Sequence, residues 1–306
     1  MAMKQFPTNP TKCILCGSRL TTSKPYLGMG AENVIRDFAY LLPISVLTLM
    51  TWPSATLRER ANSVIVNKRT FGDRKLFWCD SCCTGMAWPL FDDAQLSSYY
   101  QDSYWKFREQ HDVYFSERGM LPKESNLAWV RAQLDWADRH GAKFSSAIDF
   151  GAGDCAGAYL MAKKCGLKNV VVVDSSTQTK TIANSMGLRH SVSLAPAKPV
   201  EFIYSSHTIE HVADLIHTLV LLESAVYDGG FVFLETPNVA DRQVFAGLVA
   251  TPHTFLLSES SFEQYSKSSN LRLIATETVG PAWSKHHSIA SQARTDLRVL
   301  FKKISS

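Results

Sequence analysis

Four consecutive valines, Val170–Val173, restrict the fold of this chain of 306 residues more than any other feature. An unbroken β-branched run is typical of a strand covered on both faces, as in parallel sheets. Similar apolar runs occur at Ala147–Phe150, 202–205 and 231–235, and helical patterns separate them. Strands that alternate with helices predict βαβ units, and therefore an α/β fold with a mostly parallel sheet.

Apolar residues at helical spacing predict three helices in this part of the chain, over residues 126–140, 158–165 and 214–227. Gly166 follows the second of them and is the residue type that most often ends a helix. Two later apolar segments, 271–277 and 297–302, predict an antiparallel pair at the edge of the sheet.

The composition narrows the class of protein. The net charge is +4, from 32 Lys and Arg against 28 Asp and Glu, without a run of like charge. A nucleic-acid partner is therefore not expected, and a small polar metabolite is the expected substrate. The N-terminus lacks the apolar core of a signal peptide, and the most apolar stretch, 38–50, is too short to span a bilayer. We expect a cytoplasmic protein without a membrane partner; the sequence does not indicate its oligomeric state.

The seven cysteines are unusual for such a chain. Cytoplasmic proteins seldom keep disulfides, so clustered cysteines suggest a metal. Cys13 and Cys16 form one C-x-x-C pair, and Cys79 and Cys82 form a second. Two such pairs supply the four thiolates of a structural zinc site. The long spacer weakens this prediction, and Cys83 leaves open which thiol binds; unligated cysteines or a redox pair are the alternatives.

A glycine loop follows the first predicted strand. Gly151, Ala152 and Gly153 would let a ligand approach the backbone closely, and Asp174, after the next strand, could accept both hydroxyls of a ribose. The spacing satisfies the dinucleotide fingerprint, so a nicotinamide-dependent oxidoreductase is one alternative. Asp149 favours S-adenosylmethionine instead, because its carboxylate would attract the α-amino group and repel a pyrophosphate. A tight turn without a ligand is the third alternative.

With these features the chain resembles class I S-adenosylmethionine-dependent methyltransferases, and within them the branch that carries an N-terminal cysteine zinc module and includes sugar C-methyltransferases. The matching segments are residues 13–17, 79–105, 149–153, 170–175, 202–212 (FIYSSHTIEHV), 227–238 (YDGGFVFLETPN) and 253–271. The resemblance implies a Rossmann-like sheet with an antiparallel edge strand and a small zinc-binding domain. It divides the chain into a zinc-binding and lid or substrate module, 1–122, and a methyltransferase domain, 123–306. Cys155 departs from the family, which has a third glycine there.

The resemblance also implies roles for individual residues. The cofactor residues are Asp149, Gly151, Ala152, Gly153, Asp174, Ser175 and Ser206; the substrate residues are Tyr100, Tyr104 and His207; the zinc ligands are Cys13, Cys16, Cys79 and Cys82. His211 is the candidate general base and Glu210 its partner or a substrate contact, since histidine exchanges protons near neutral pH. The alternatives are a helix N-terminus at Glu210 and His211 and an aromatic packing layer at the tyrosines.

The expected activity is methyl transfer from S-adenosylmethionine to carbon or oxygen of a small polar metabolite, a sugar nucleotide or natural-product intermediate. The alternatives are the nicotinamide-dependent oxidoreductase and a noncatalytic protein that keeps the zinc module and the methyltransferase fold.

Overall fold

The computed structural model describes residues 10–22, 75–105, 115–116, 119–194, 198–239, 253–280 and 295–305. Most of residues 18–78, which the resemblance does not cover, lie outside this description. The strands are β1 Thr21–Thr22, β2 Lys75–Cys79, β3 Thr84–Trp88, β4 Phe115–Ser116, β5 Gly119–Pro122, β6 Ala147–Phe150, β7 Val170–Val173, β8 Arg189–Ser191, β9 Val200–Ser206, β10 Val226–Pro237, β11 Phe255–Leu256, β12 Leu271–Val279 and β13 Asp296–Lys303. The helices are α1 Asp93–Ser98, α2 Glu124–Arg139, α3 Ala156–Cys165, α4 Thr177–Ser185, α5 Leu215–Ala225 and α6 Glu259–Ser266.

The main sheet confirms the predicted fold class. Among the described residues it has seven strands in the order β8-β7-β6-β9-β10-β13-β12. Strands β8 to β10 are parallel, and β13 runs antiparallel to both of its neighbours. The sheet is thus Rossmann-like, with an antiparallel edge, as predicted. The chain order reverses between β6 and β9, and the carboxyl ends of strands at such a point form a ligand crevice.

Local signals predicted most element bounds well. Strands β6 and β7 begin and end where the sequence predicts, and Gly166 caps α3 with a φ of 86°. Helix α5 begins after Asp214, whose side chain accepts from the His217 amide, and it ends two residues earlier than predicted. Strand β10 is longer than predicted, because its pairing with β9 resumes beyond a register shift between Val226 and Phe231.

Helices cover both faces of the main sheet, so successive side chains along a strand pack alternately into two apolar layers. On one face Phe233 of β10 contacts Trp136 of α2, with ring centroids 5.9 Å apart. On the other face Phe301 of β13 contacts Phe262 of α6, with centroids 6.0 Å apart. All four side chains are buried. The face-to-face alternation follows from the two-residue period of a strand.

A second, smaller sheet has the order β1-β2-β3-β11. Strands β1, β2 and β3 carry or flank the N-terminal cysteine pairs, whereas β11 comes from the C-terminal half of the chain. Strand β11 pairs antiparallel with β3, with Phe255 opposite Met86 and Leu256 opposite Gly85. The two parts of the chain therefore share a sheet.

None of the described helices has the length and apolar character needed to cross a membrane.

Candidate functional site

The glycine loop joins β6 to α3 at the reversal point of the sheet. Gly151 has a φ of +70°, and a Cβ there would lie 2.0 Å from the Thr208 hydroxyl oxygen, so no other residue fits. Gly153 has a φ of +50°, but an added Cβ would meet nothing within 4 Å. The space above Gly153 is therefore open to a ligand that approaches the backbone. Ala152 lies between them and is 9% exposed.

Asp149 and Asp174 lie on either side of this loop. Asp149 is 2% exposed, and one of its oxygens accepts from the Ala158 amide at 2.6 Å, in the first turn of α3. Burial raises the pKa of Asp149 to about 8. Asp174 accepts from the Gly153 amide at 3.1 Å and from the Ser176 amide at 2.8 Å, and burial also raises its pKa. A buried and a half-buried carboxyl group beside an open loop suit the cationic and hydroxyl groups of S-adenosylmethionine. Ser175 is exposed next to Asp174.

Cys155, where the resemblance implies a third glycine, adopts a backbone conformation typical of glycine. Its φ is +62°, in the left-handed region where glycine is the usual residue. The thiol is fully buried, with its sulfur 3.9 Å from the Thr179 carbonyl oxygen. The backbone bend that the glycine would allow is thus present, and the thiol packs beneath the loop.

Glu210 and His211 lie in a 3₁₀ turn, Ile209–His211, just beyond β9. Glu210 is 1% exposed, and its Oε1 lies 3.6 Å from His211 Nε2 and 3.5 Å from His207 Nδ1. Burial opposes ionisation of Glu210, but the histidines outweigh it and bring its pKa down to about 2. Glu210 is therefore a buried anion between two imidazoles, in place to act as the partner of His211.

His207 is surrounded by carboxylates. Its Nε2 lies 3.5 Å from Asp296 and 3.6 Å from Glu235, in addition to the Glu210 contact. Burial lowers the pKa of His207, but the three carboxylates outweigh it and hold this pKa well above its ordinary value. Its φ is +52°, a rare conformation that its amide helps to fix by donating to the Glu235 carbonyl at 2.7 Å. The side chain is still 14% exposed, so its edge reaches the site.

Sequence reasoning missed Glu235, which organises a polar network under the site. This fully buried carboxylate accepts from Trp129 at 2.9 Å, from Gln133 at 2.5 Å and from Arg298 at 2.9 Å. Gln133 also donates to Ser206 at 3.1 Å, which places that predicted cofactor residue in the same network. A glutamine on the apolar face of α2 was an available signal, since buried polar side chains need partners.

His253 was also missed as a site residue. Its ring centroid lies 4.5 Å from that of His211. Burial and the neighbouring His211 lower the pKa of His253 to about 3, so this imidazole is neutral at working pH. One carboxylate oxygen of Glu210 and one ring nitrogen each of His211 and His253 all lie within 4.8 Å of one another. The sequence around His253 has no pattern that would have indicated this contact.

An aromatic segment of the N-terminal module reaches both halves of the site. The ring of Tyr100 packs edge-on against His211, with centroids 5.8 Å apart, and Tyr104 lies 5.1 Å from Tyr100. Trp105 follows, and its indole donates to Ser176 at 2.7 Å, beside Asp174. Tyr100 thus contacts the candidate base, and Tyr104 packs on Tyr100.

The four predicted zinc ligands come together. The sulfur atoms of Cys13 and Cys82 are 3.5 Å apart, those of Cys16 and Cys79 are 3.4 Å apart, and all four lie within 4.8 Å. Tetrahedral zinc with bonds of about 2.3 Å needs sulfur separations of about 3.8 Å, so the arrangement fits this ion. Cys83 is not among the four, and its φ of +48° belongs to the turn into β3.

Comparison with known proteins finds methyltransferases among the proteins that this chain resembles. A family described as a methyltransferase domain matches residues 124–276. Coclaurine N-methyltransferase has a similar structure, with a TM-score of 0.52, 12% identity, and coverage of 89% of this chain and 99% of that one. A candidate sarcosine dimethylglycine methyltransferase from Galdieria sulphuraria gives a TM-score of 0.50 at 13% identity, covering 66% and 98%. At these identities the likeness shows the fold alone. No curated protein sequence matches the chain.

Proposed function

Because the chain belongs to the methyltransferase domain family, we propose that it transfers a methyl group from S-adenosylmethionine to carbon or oxygen of a small polar metabolite. A sugar nucleotide or a natural-product intermediate is the acceptor class that we propose. Family membership speaks against the nicotinamide-dependent oxidoreductase considered from the glycine loop. The noncatalytic alternative is an outcome of the tests below.

The cofactor half of the proposal rests on the glycine loop. Bound S-adenosylmethionine would supply a methyl group that its sulfonium has already activated. Asp174 would accept from the ribose, Asp149 would face the α-amino group, and the backbone of the glycine loop would approach the cofactor. Ala152, Ser175 and Ser206 complete the proposed cofactor set. This assignment is supported by the open space at Gly153 and by the two carboxyl groups that flank it, buried Asp149 and half-buried Asp174.

The acceptor half rests on His211. In the proposed reaction its imidazole removes a proton from the acceptor's hydroxyl group or activated carbon as the methyl group is transferred. The anionic Glu210, 3.6 Å away, stabilises the imidazolium that forms. Tyr100, Tyr104 and His207 border this space and are the proposed substrate contacts.

One contact is the main support for the proposal, because it connects the cofactor loop to the turn that holds the candidate base. The Thr208 hydroxyl donates to the carbonyl oxygen of Gly151 at 3.3 Å. Thr208 begins the turn that holds Glu210 and His211, and Gly151 begins the cofactor loop. A base on that turn is therefore held next to the loop, as transfer between two bound molecules requires.

We also propose that Cys13, Cys16, Cys79 and Cys82 bind one structural zinc ion. A site with four thiolates has no open position for a reacting group, so its role is to hold the N-terminal module together. All seven cysteines are free of disulfides, which agrees with a reducing compartment and with the cytoplasmic, biosynthetic setting that we propose.

Calorimetry and label transfer test this function. We expect S-adenosylhomocysteine to bind and NADH not to bind; the reverse result would refute the proposal. Incubation with methyl-labelled S-adenosylmethionine and a panel of sugar nucleotides and phenolic intermediates should label an acceptor. Binding of S-adenosylhomocysteine without transfer to any member would favour the noncatalytic alternative.

A further inference from the structure

Thr254 connects the small sheet, whose strands carry the cysteine pairs, to the turn that holds Glu210 and His211. We call this sheet with its cysteines the zinc module and this turn the catalytic turn. Thr254 directly precedes strand β11, and its carbonyl oxygen accepts from the Ala87 amide of β3 at 2.9 Å. The Thr254 amide donates to the Glu210 carbonyl oxygen at 2.8 Å. The same fully buried residue therefore continues the small sheet on one side and holds the turn of Glu210 and His211 on the other.

Buried hydroxyl groups also connect the start of strand β3 to helix α6. The Thr84 hydroxyl, at the start of β3, donates to Ser261 of α6 at 2.8 Å. Ser261 donates to the carbonyl oxygen of Cys82 at 3.2 Å, and Ser258, the N-cap of α6, lies 3.5 Å from that oxygen. Because Cys82 is one of the proposed zinc ligands, the ion's position and the position of α6 depend on each other.

His253 is the residue that this link places. It directly precedes Thr254, and its ring lies 4.5 Å from His211. A change in the β3–β11 pairing would thus move His253 relative to the candidate base. Within the turn, Thr208 makes the contact with the cofactor loop, on the side away from His253 in the chain. A displacement of the His253 ring alone should therefore leave cofactor binding intact.

We propose that the zinc module is a positioning element for the catalytic turn: strand β3 holds Thr254, and Thr254 fixes His253 against His211. The inference rests on the proposed function, since it takes His211 as the base. In this arrangement the neutral ring of His253 shields one side of His211 from water. Among the described residues, the groups that act on His253 electrostatically are His211, Glu210 and His207.

Gly85 offers a way to disturb this link while keeping all four cysteines. A Cβ at Gly85 would lie 2.9 Å from Leu256 Cβ and 3.2 Å from the Trp78 ring. An alanine there pushes β11 away from β3. Gly280 is the matched control, because an added Cβ meets nothing within 4 Å and its backbone is not in the left-handed region.

The experiment follows the imidazole signals of the full-length protein by NMR as the pH is lowered from about 8 to about 6, a range in which the thiolates still hold zinc. The chain has nine histidines, and His211→Asn and His253→Asn variants assign the two signals of interest. Zinc-loaded, zinc-stripped, Gly85→Ala and Gly280→Ala proteins are compared. Zinc content and the affinity for S-adenosylhomocysteine are measured on each.

In the zinc-loaded, unaltered protein we expect His253 not to titrate in this range. In the zinc-stripped and Gly85→Ala proteins we expect it to titrate with a pKa toward about 6.5, because the ring leaves its half-buried place beside His211. Affinity for S-adenosylhomocysteine should stay within about twofold, and Gly280→Ala should match the unaltered protein. An unchanged His253 titration overturns the inference, as does a shift that comes with loss of cofactor-product binding in Gly85→Ala. If the zinc-stripped protein alone loses binding of S-adenosylhomocysteine, the test rests on Gly85→Ala. A raised pKa of His253 with binding retained in that variant supports the inference, and any other result overturns it. Failure of the unaltered protein to bind S-adenosylhomocysteine would instead refute the proposed function.

Discussion

The hydroxyl group of Thr208 lies 3.3 Å from the carbonyl oxygen of Gly151, and the same side chain occupies the space that a Cβ at Gly151 would need. The cofactor loop and the turn with Glu210 and His211 therefore fit together only with glycine at this position. The relationship makes the site one unit, in which the predictions below can separate binding from proton transfer.

Replacing His211 should abolish proton removal and spare cofactor binding. We expect His211→Asn to lower the rate of methyl transfer about 10²- to 10⁴-fold, the usual contribution of a general base. Affinity for S-adenosylhomocysteine should change less than twofold. The exposed His217 is the control, since His217→Asn lies in the same region but outside the site. Equal rates for the two variants would exclude His211 as the base.

Binding of S-adenosylhomocysteine should release protons near pH 7. The pKa of Asp149 is about 8 in the free protein, so its carboxyl is mostly protonated there. An ammonium group placed beside it favours the ionised form, and roughly one proton should leave on binding. Calorimetry in phosphate and Tris buffers, which differ in ionisation enthalpy, measures this number. Asp149→Asn should remove the buffer dependence, and its persistence would show that another group is responsible.

Glu210 should stabilise the fold above pH 5 and lose this effect in acid. Its folded pKa of about 2 lies below the ordinary value of 4.5, so its contribution is present above about pH 4.5 and is lost as the pH falls through about 2. The difference in unfolding free energy between the unaltered protein and Glu210→Gln should reach about 3 kcal/mol at neutral pH. It should shrink steadily toward pH 2, as measured by urea denaturation. Glu263→Gln, on the exposed side of α6, should show no such trend.

The metal content should depend on four cysteines and not on the fifth. We expect one zinc ion per chain by mass spectrometry of the metal. Cys79→Ser should reduce that content and destabilise the N-terminal module, because each ligand of a closed site is needed. Cys83→Ser should keep full zinc content, since Cys83 is not among the four clustered cysteines. Zinc loss in Cys83→Ser would reopen the question of which thiol binds.

Gln133 should matter for stability far more than an exposed glutamine. Gln133→Leu leaves the buried Glu235 and the Tyr204 hydroxyl each without one hydrogen-bond partner. We expect a loss of about 3 kcal/mol in unfolding free energy, since such groups cost about 1–3 kcal/mol each. Gln101→Leu, on an exposed side chain, is the control and should change stability by less than about 0.5 kcal/mol. Similar losses in both variants would contradict the network's importance.

The features predicted from the sequence are those that local chemistry determines. The valine run of β7, the glycine loop and the glycine that ends α3 each specify their conformation within a few residues. The two C-x-x-C pairs were recognisable because zinc needs a particular ligand type at a particular spacing. Glu210 and His211 could be proposed as site residues because they follow a strand whose carboxyl end had to face the site.

The remaining features depend on contacts between distant segments. Glu235 and Arg298 lie on neighbouring strands whose pairing is a property of the whole sheet. Strand β11 has only two residues, which is too few for any periodic pattern. His253 could not be assigned to the site until the pairing of that short strand with β3 was known.

The sharing of one sheet by distant segments also constrains how the protein is made. Thr84 and Ser261, which join through their hydroxyl groups, are 177 positions apart in the sequence. During synthesis the N-terminal segment leaves the ribosome first, but the edge of β3 has no partner until residue 256 has followed. Until then that edge is an open template for pairing with other chains. If the four cysteines bind zinc early, the pairing of β3 with β11 is the last step in forming this sheet. The yield of folded protein in a cell should then depend on how quickly the C-terminal half is synthesised.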